Sequence, residues 1–189
     1  VLNVTRPALA VVAAIAAAAF TLTGCSNSEK ASTKIDTPGA TTTAATVAAP
    51  KGKTCVIDDF KVAGEIGKKP TVTVPQDCDP PKELLSKDLV PGTGPEIKTG
   101  DKVAVDYSLV LFSNSKNLDN SYDRGQPFAL TVGAGRVIKG WEQGLVGLKQ
   151  GGRRLLVIPS DLGYGPDGSP PEIKGGETLV FVVDGTKAG

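Results

Sequence analysis

The chain has 189 residues, with 21 basic and 20 acidic side chains, three cysteines and no histidine or methionine. That length holds one domain of ordinary size with flanking segments, and a hydrophobic share of 40% is too low for a polytopic membrane protein. Residues 55–189 carry 16 basic and 18 acidic side chains, which excludes the basic excess of a nucleic-acid binder. The lack of imidazole excludes Ser-His and Cys-His catalysis, most catalytic zinc sites and the usual pH switch.

Residues 1–24 read as a signal peptide. Arg6 supplies a short positive region, residues 8–20 (ALAVVAAIAAAAF) are all apolar, and no charge follows until after Ser28. Such a run is short for a membrane span, which needs about 20 residues, and fits the apolar core of a signal peptide. The Val1 start is read as a GTG initiation codon translated literally. Leu22-Thr23-Gly24-Cys25 resembles the bacterial lipobox, so Cys25 is expected to carry the lipid (palmitate) and to become the mature N-terminus. The alternative is an ordinary signal peptide with an incidental cysteine. Lipidation implies a protein outside the cytoplasm, anchored to the bacterial cell membrane. In the 29 residues 26–54, twenty are Ser, Thr, Ala, Pro or Gly, and the only large aliphatics are Ile35 and Val47. Too little apolar surface is available to offset ordering entropy, so 25–54 is read as the lipidated cysteine and a flexible tether.

Cys55 and Cys78 remain, an even pair in a chain that has left the cytoplasm, and one disulfide is expected. On the chain-entropy model that loop is worth about 3 kcal/mol. Two free thiols are the alternative; zinc is disfavoured without histidine or a second cysteine pair. Thr71-Val72-Thr73-Val74 alternates like a short strand, and Pro75, Pro80 and Pro81 break the chain. Residues 55–86 are read as an N-terminal extension packed on the main domain, and 87–189 as that domain.

Within 87–189, Val103, Val105, Tyr107, Leu109 and Leu111 alternate with smaller or polar residues, the period of a half-buried strand. Phe128, Leu130 and Val132 repeat the pattern, as do Leu156 and Ile158, then Leu179, Phe181 and Val183. Trp141, Leu145 and Leu148 fall at helical spacing, and Gly151-Gly152 stops that run. At least four strands without long crossover helices imply an antiparallel sheet, with one short helix covering one face, an α+β fold. Gly133-Ala134-Gly135 lacks the third glycine of a dinucleotide turn, and Pro166, Pro170 and Pro171 forbid a helix after Gly163-Tyr164-Gly165.

The order VDYS, LDNSYDRGQPF, VIKGWEQGL, GGRRLLVIP, LGYG and TLVF resembles the FKBP-type peptidyl-prolyl cis–trans isomerases over about residues 87–184. The resemblance implies a curved antiparallel β-sheet wrapped around one short α-helix, with an apolar cleft between them for a proline-containing segment. It implies Trp141 as the floor, Tyr107, Phe128 and Phe181 as aromatic walls, and Val137 and Ile138 at the helix start. It gives Tyr164 a hydroxyl for one substrate carbonyl and Ile173 a backbone N–H for a neighbouring one. Asp119, with Arg124 and Tyr107 nearby, matches the polar corner at the twisting amide. The catalytic set is then Asp119, Tyr164, Trp141 and Phe128.

Departures from the family pattern fall at the cleft. Leu118 stands where phenylalanine is usual and is expected to leave one wall thinner; Leu109 replaces a glycine; Ser169 and Glu172 replace a histidine and an aliphatic residue. Macrolide inhibitors are expected to bind more weakly in consequence. The expected partners are proline-containing peptides or unfolded secreted proteins and a macrolide inhibitor, with no nucleic acid, metal or cofactor. Membrane contact is expected only through the N-terminal lipid anchor.

The implied chemistry needs no proton transfer. An X-Pro bond prefers trans by only about 0.5–1 kcal/mol yet interconverts over tens to hundreds of seconds. Amide resonance sets the barrier, about 18–20 kcal/mol, and twisting abolishes that resonance. A dry apolar cleft penalises the dipolar planar amide more than the twisted one, which is differential binding of the transition state. The alternative function is a catalytically weak FKBP-fold binding or chaperone lipoprotein that kept the cleft without turnover.

Overall fold

The runs Leu155-Leu156-Val157-Ile158 and Leu179 to Val183 have no polar alternation. A strand of that kind is buried on both faces. The computed structural model describes residues 52–188 and places both runs at the centre of one sheet. A two-stranded ribbon comes first, β1 (Lys61–Ala63) and β2 (Thr71–Thr73). There follow β3 (Leu85–Val90), β4 (Lys102–Leu111), β5 (Asn117–Asn120), β6 (Phe128–Thr131), α1 (Lys139–Gly144), β7 (Arg153–Ile158) and β8 (Leu179–Lys187). The sheet order is β3-β7-β8-β4-β5, all antiparallel, with β6 beside the first half of β4.

Every residue of β7 is buried, as is β8 from Leu179 to Gly185. Alternate residues feed two separate clusters. Leu156, Ile158, Leu179, Phe181 and Val183 join Val103, Val105, Tyr107, Leu109 and Leu111 on the inner face, against Trp141, Leu145 and Leu148. Leu155, Val157, Val180 and Val182 join Val110 and Phe112 on the outer face, against Cys55, Phe60, Val74 and Cys78 of the extension. The extension is therefore the second cover of the sheet. It belongs to the same compact unit as the sheet.

The helix is shorter than its spacing predicts. It ends at Gly144, and Leu145 to Leu148 form a turn, with Gly147 at φ +84°. Leu148 is buried all the same, so helical periodicity survived in burial where the helix did not. Two glycines set how closely α1 lies on the sheet. A Cβ on Gly140 would meet Ile158 at 2.3 Å, and one on Gly144 would meet Leu156 at 2.8 Å. Side chains there would lift the helix off β7 and open the floor of the cleft.

Cys55 and Cys78 form a disulfide across a separation of 23 residues. The other tie is polar. Arg153 and Asp184, opposite each other on β7 and β8, make a buried two-point ion pair (2.6 and 2.8 Å). The turn between β1 and β2 closes over it. Arg153 donates to the carbonyls of Gly64 (2.9 Å) and Lys68 (2.8 Å), and the Gly67 N–H donates to Asp184 (2.8 Å). Removing one partner of a buried pair leaves an uncompensated charge, which costs about 3–5 kcal/mol.

β3 runs across the boundary expected between residues 86 and 87 and pairs with β7 from Leu85 onward. β1, β3 and β5 are strands that the sequence pattern did not single out; β3 and β5 are short or polar, with exposed positions. The residues read as signal peptide, Cys25 and all but the last three residues of the segment read as a tether lie outside the described residues. No helix among the described residues is long and apolar enough to cross a membrane.

Candidate active site

The inward alternation of β4 and β8 points Tyr107, Leu109 and Phe181 at the helix, and α1 returns Trp141 to them. Phe128, at the start of β6, pairs with Val105 and completes the ring set. Trp141 has Phe181, Tyr107 and Phe128 around it at 5.3, 5.4 and 5.8 Å between centroids, each near perpendicular. Edge-to-face pairs of this kind add about 0.5–1.5 kcal/mol each beyond area burial. They enclose a cleft of about 440 Å³, whose rim carries Asp119, Tyr164, Val137 and Ile138. Trp141 is buried, whereas Phe128 is 39% and Tyr164 42% exposed. Among the described residues, the Trp141 indole nitrogen is the buried side-chain polar atom without a hydrogen bond. Such an orphan costs about 1–3 kcal/mol.

One polar corner stands at this rim. The Tyr107 hydroxyl donates to Asp119, and Arg124 donates to both Asp119 and, at 2.8 Å, the Tyr107 oxygen. Burial, then the hydrogen bond to Asp119, raises the Tyr107 phenol above its ordinary range. Hydrogen bonds to Tyr107 and Asp119 hold Arg124 more firmly protonated.

The segment between them is built residue by residue. Ser121 is buried, accepts the Tyr107 N–H (2.9 Å) and donates to Asp106 (2.6 Å). Asn120 and Asp123 bond each other twice at 2.8 Å, and Lys69 of the extension reaches Asp123 at 2.6 Å. Tyr122 donates to Asp184 at 2.8 Å. The 3-10 turn Tyr122–Arg124 that carries Arg124 is thus tied to the buried ion pair. Sequence reasoning named only Asp119 and Arg124 here. The DNSYDR string, dense in short polar side chains, was the available signal.

Glu142 was also missed. Its carboxylate accepts the N–H groups of Gly133 and Gly135, the latter at 2.8 Å. The glycine pair that mimics a dinucleotide turn therefore holds the protein's own helix. This fixes the loop that brings Gly135, Arg136 and Val137 to the cleft.

Three expected contacts sit elsewhere. Leu118 is the extra residue of a β-bulge opposite Leu109 and Val110, and it packs against the inner cluster without lining the cleft. Leu109, directly opposite Asp119, lines the cleft in its place. Arg124 lies behind Asp119 and braces it. Ile173 is buried, and its N–H is taken by the Ser169 carbonyl at 3.0 Å, with Ser169 N–H returning to Ile173 at 2.8 Å. The Ile138 N–H, at the start of α1 on the cleft wall, makes no hydrogen bond among the described residues; nor does the Tyr164 hydroxyl. Tyr107, Asp119, Phe128, Val137, Ile138, Trp141, Tyr164 and Phe181 all come together as expected.

The site is thus an open aromatic cleft with one braced carboxylate at its rim, set against an antiparallel sheet. The model of the FKBP-type peptidyl-prolyl cis-trans isomerases matches residues 94–184. An FK506-binding protein of Streptomyces anulatus is 46% identical over 118 residues, covering 62% of this chain and 94% of that protein. Peptidyl-prolyl cis-trans isomerase FKBP2 of Mus musculus is 48% identical over 87 residues, 46% of this chain and 61% of that protein. The crystal structure of AtFKBP13 superimposes with a TM-score of 0.53 at 34% identity, covering 58% of this chain and 95% of that one. The chain belongs to the FKBP-type family, and its enzyme class is peptidyl-prolyl cis–trans isomerase.

Tyr122 is held un-ionised, first by burial and then by the negative charge of Asp184, as Tyr107 is by burial and its bond to Asp119. Their folded pKa values lie above the unfolded value of about 10. Their contribution to stability is therefore complete below pH 10 and is lost as pH rises beyond it, because the unfolded chain sheds those protons first. The urea midpoint should fall steadily above pH 10, and Tyr122→Phe should flatten that fall. A midpoint independent of pH up to 11.5, in a chain that remains folded, would contradict the assignment.

Proposed function

We propose that this isomerase acts outside the cytoplasm, held to the bacterial membrane by a lipid on Cys25, and that it lowers the X-Pro barrier by desolvation without covalent or proton-transfer chemistry. The observation that carries the mechanism is a four-ring apolar box with two unpartnered donors, the Ile138 N–H and the Tyr164 hydroxyl, at its rim. The proline ring rests on Trp141 between Tyr107, Phe128 and Phe181. Ile138 N–H, in the role first given to Ile173, and Tyr164 hold the flanking carbonyls. These bonds fix the peptide in a turn while the planar amide, stripped of water, loses its advantage over the twisted one. Asp119, held by Arg124 and Tyr107, faces the rotating carbonyl region. Binding energy at the ring and the carbonyls is thus directed to the twisted geometry.

Proline-containing segments of unfolded secreted proteins are the substrates, and a macrolide with a proline-like ring competes for the cleft. The setting is supported by the Cys55–Cys78 disulfide, since disulfides persist in oxidising compartments. It is supported also by the apolar run that ends at Cys25. The tether would then hold the catalytic domain clear of the membrane surface.

A proline-peptide isomerisation assay on the full chain tests the mechanism. Phe128→Ala should lower kcat/KM about tenfold, a loss of about 1.4 kcal/mol of transition-state binding. Tyr164→Phe, which removes one hydrogen bond and keeps the ring, should lower it about three- to tenfold. Unchanged kcat/KM in both variants would contradict the cleft assignment. For the anchor, Cys25→Ala should leave the chain unprocessed or release it from membranes, because one short apolar run is no stable span. A cleaved variant that still sediments with membranes would contradict lipidation.

A further inference from the structure

We propose that the enzyme prefers substrates with acidic residues beside the isomerised proline, and that this acidic flank lies extended along β6. The proposal rests on the proline cleft described above and extends it. A second cavity of about 450 Å³ adjoins the cleft and shares Phe128, Arg136 and Val137 with it. All of β6, Phe128 to Thr131, lines this cavity.

Two independent features define what fits there. The first is backbone. Among the described strands β6 pairs with β4 alone, so its other edge is open to an extended chain, except for the Thr131 carbonyl, which takes the Ala134 N–H. A substrate segment leaving the cleft past Phe128 meets that edge directly.

The second feature is charge. The lining contains Lys102, Arg136 and Lys187 and no acidic residue. All three cations are exposed, and none has a hydrogen bond or ion pair among the described residues. Lys102 lies opposite Thr131, and Lys187 opposite Ala104, which itself faces Ala129. Lys102 on β4 and Lys187 on β8, one strand further, thus reach this cavity from the paired side of β6, while Arg136 stands between groove and cleft. Three free cations without a counter-charge, in a chain of net charge +1, are a local excess that attracts carboxylates and repels basic flanks.

The test uses the full chain and peptides with one common X-Pro bond. Two Glu, two Gln or two Lys residues are placed within four positions of the proline, first on one side and then on the other. At low salt, the Glu peptide on one side should have a kcat/KM about five- to tenfold above its Gln counterpart, and the Lys peptide should fall below it. The gap should close in 0.5 M salt, where exposed charges are screened within about 4–5 Å. Lys102→Glu with Lys187→Glu should bring the Glu-to-Gln ratio to one or below, and turnover of the Gln peptide reports that the variant is folded. Equal kcat/KM for Glu and Gln on both sides, or a Glu preference that survives the double reversal, would overturn the proposal alone. Absence of turnover for every peptide would overturn the isomerase reading with it.

Discussion

The structure depends on covering β7 and β8 from both sides. A helix of six residues covers the inner face, and it can lie close because Gly140 and Gly144 face Ile158 and Leu156 without side chains. The outer face would leave Leu155, Val157, Val180 and Val182 in water if the chain began at β3. The extension removes that surface with Phe60, Val74 and a buried disulfide. A short segment of this kind has little core of its own, so a covalent loop and a buried ion pair do much of the holding. The cleft inherits its rigidity from this sandwich. Trp141 can stay as a fixed floor because the strands behind it cannot move outward.

The same cover reaches the polar corner at the cleft rim. Asp184 accepts hydrogen bonds from Arg153, from Gly67 in the extension and from Tyr122. Tyr122 is two residues from Arg124, which holds Asp119 and Tyr107 at the cleft rim. A buried carboxylate so fully satisfied is stable only with all its donors present. One side of the cleft is therefore positioned by residues that never touch it.

Much of this was legible in the sequence, for reasons that can be named. Alternation in 103–111 and at Phe181 gave the inward rings, because a strand has a period of two whatever the tertiary context. The even cysteine pair gave the disulfide. What failed was local competition. Helical spacing from Trp141 to Leu148 could not reveal that Gly147 turns the chain early. The Ile173 N–H was assigned by resemblance alone, and no spacing rule could tell that Ser169 would take it. Leu118 was read as a thinned wall by resemblance, and a bulge, which re-aims one side chain, leaves no mark in the sequence that would have corrected it. The unbroken runs Leu155–Ile158 and Leu179–Val183 did announce burial on both faces, and hence a second cover. That signal was available and pointed at the extension.

In the proposed mechanism, rotation is accelerated by a dry, preorganised cleft and not by proton transfer. The chain has no histidine, and ordinary carboxylates and phenols titrate near 4 and near 10. General acid–base catalysis at neutral pH would need a group titrating between them. The direct measurement is kcat/KM for one uncharged proline peptide across pH 5.5 to 8.5, in water and in deuterium oxide. A flat profile with a solvent isotope effect near one is the predicted result. A bell-shaped profile centred near neutrality, with a substantial isotope effect, would contradict it.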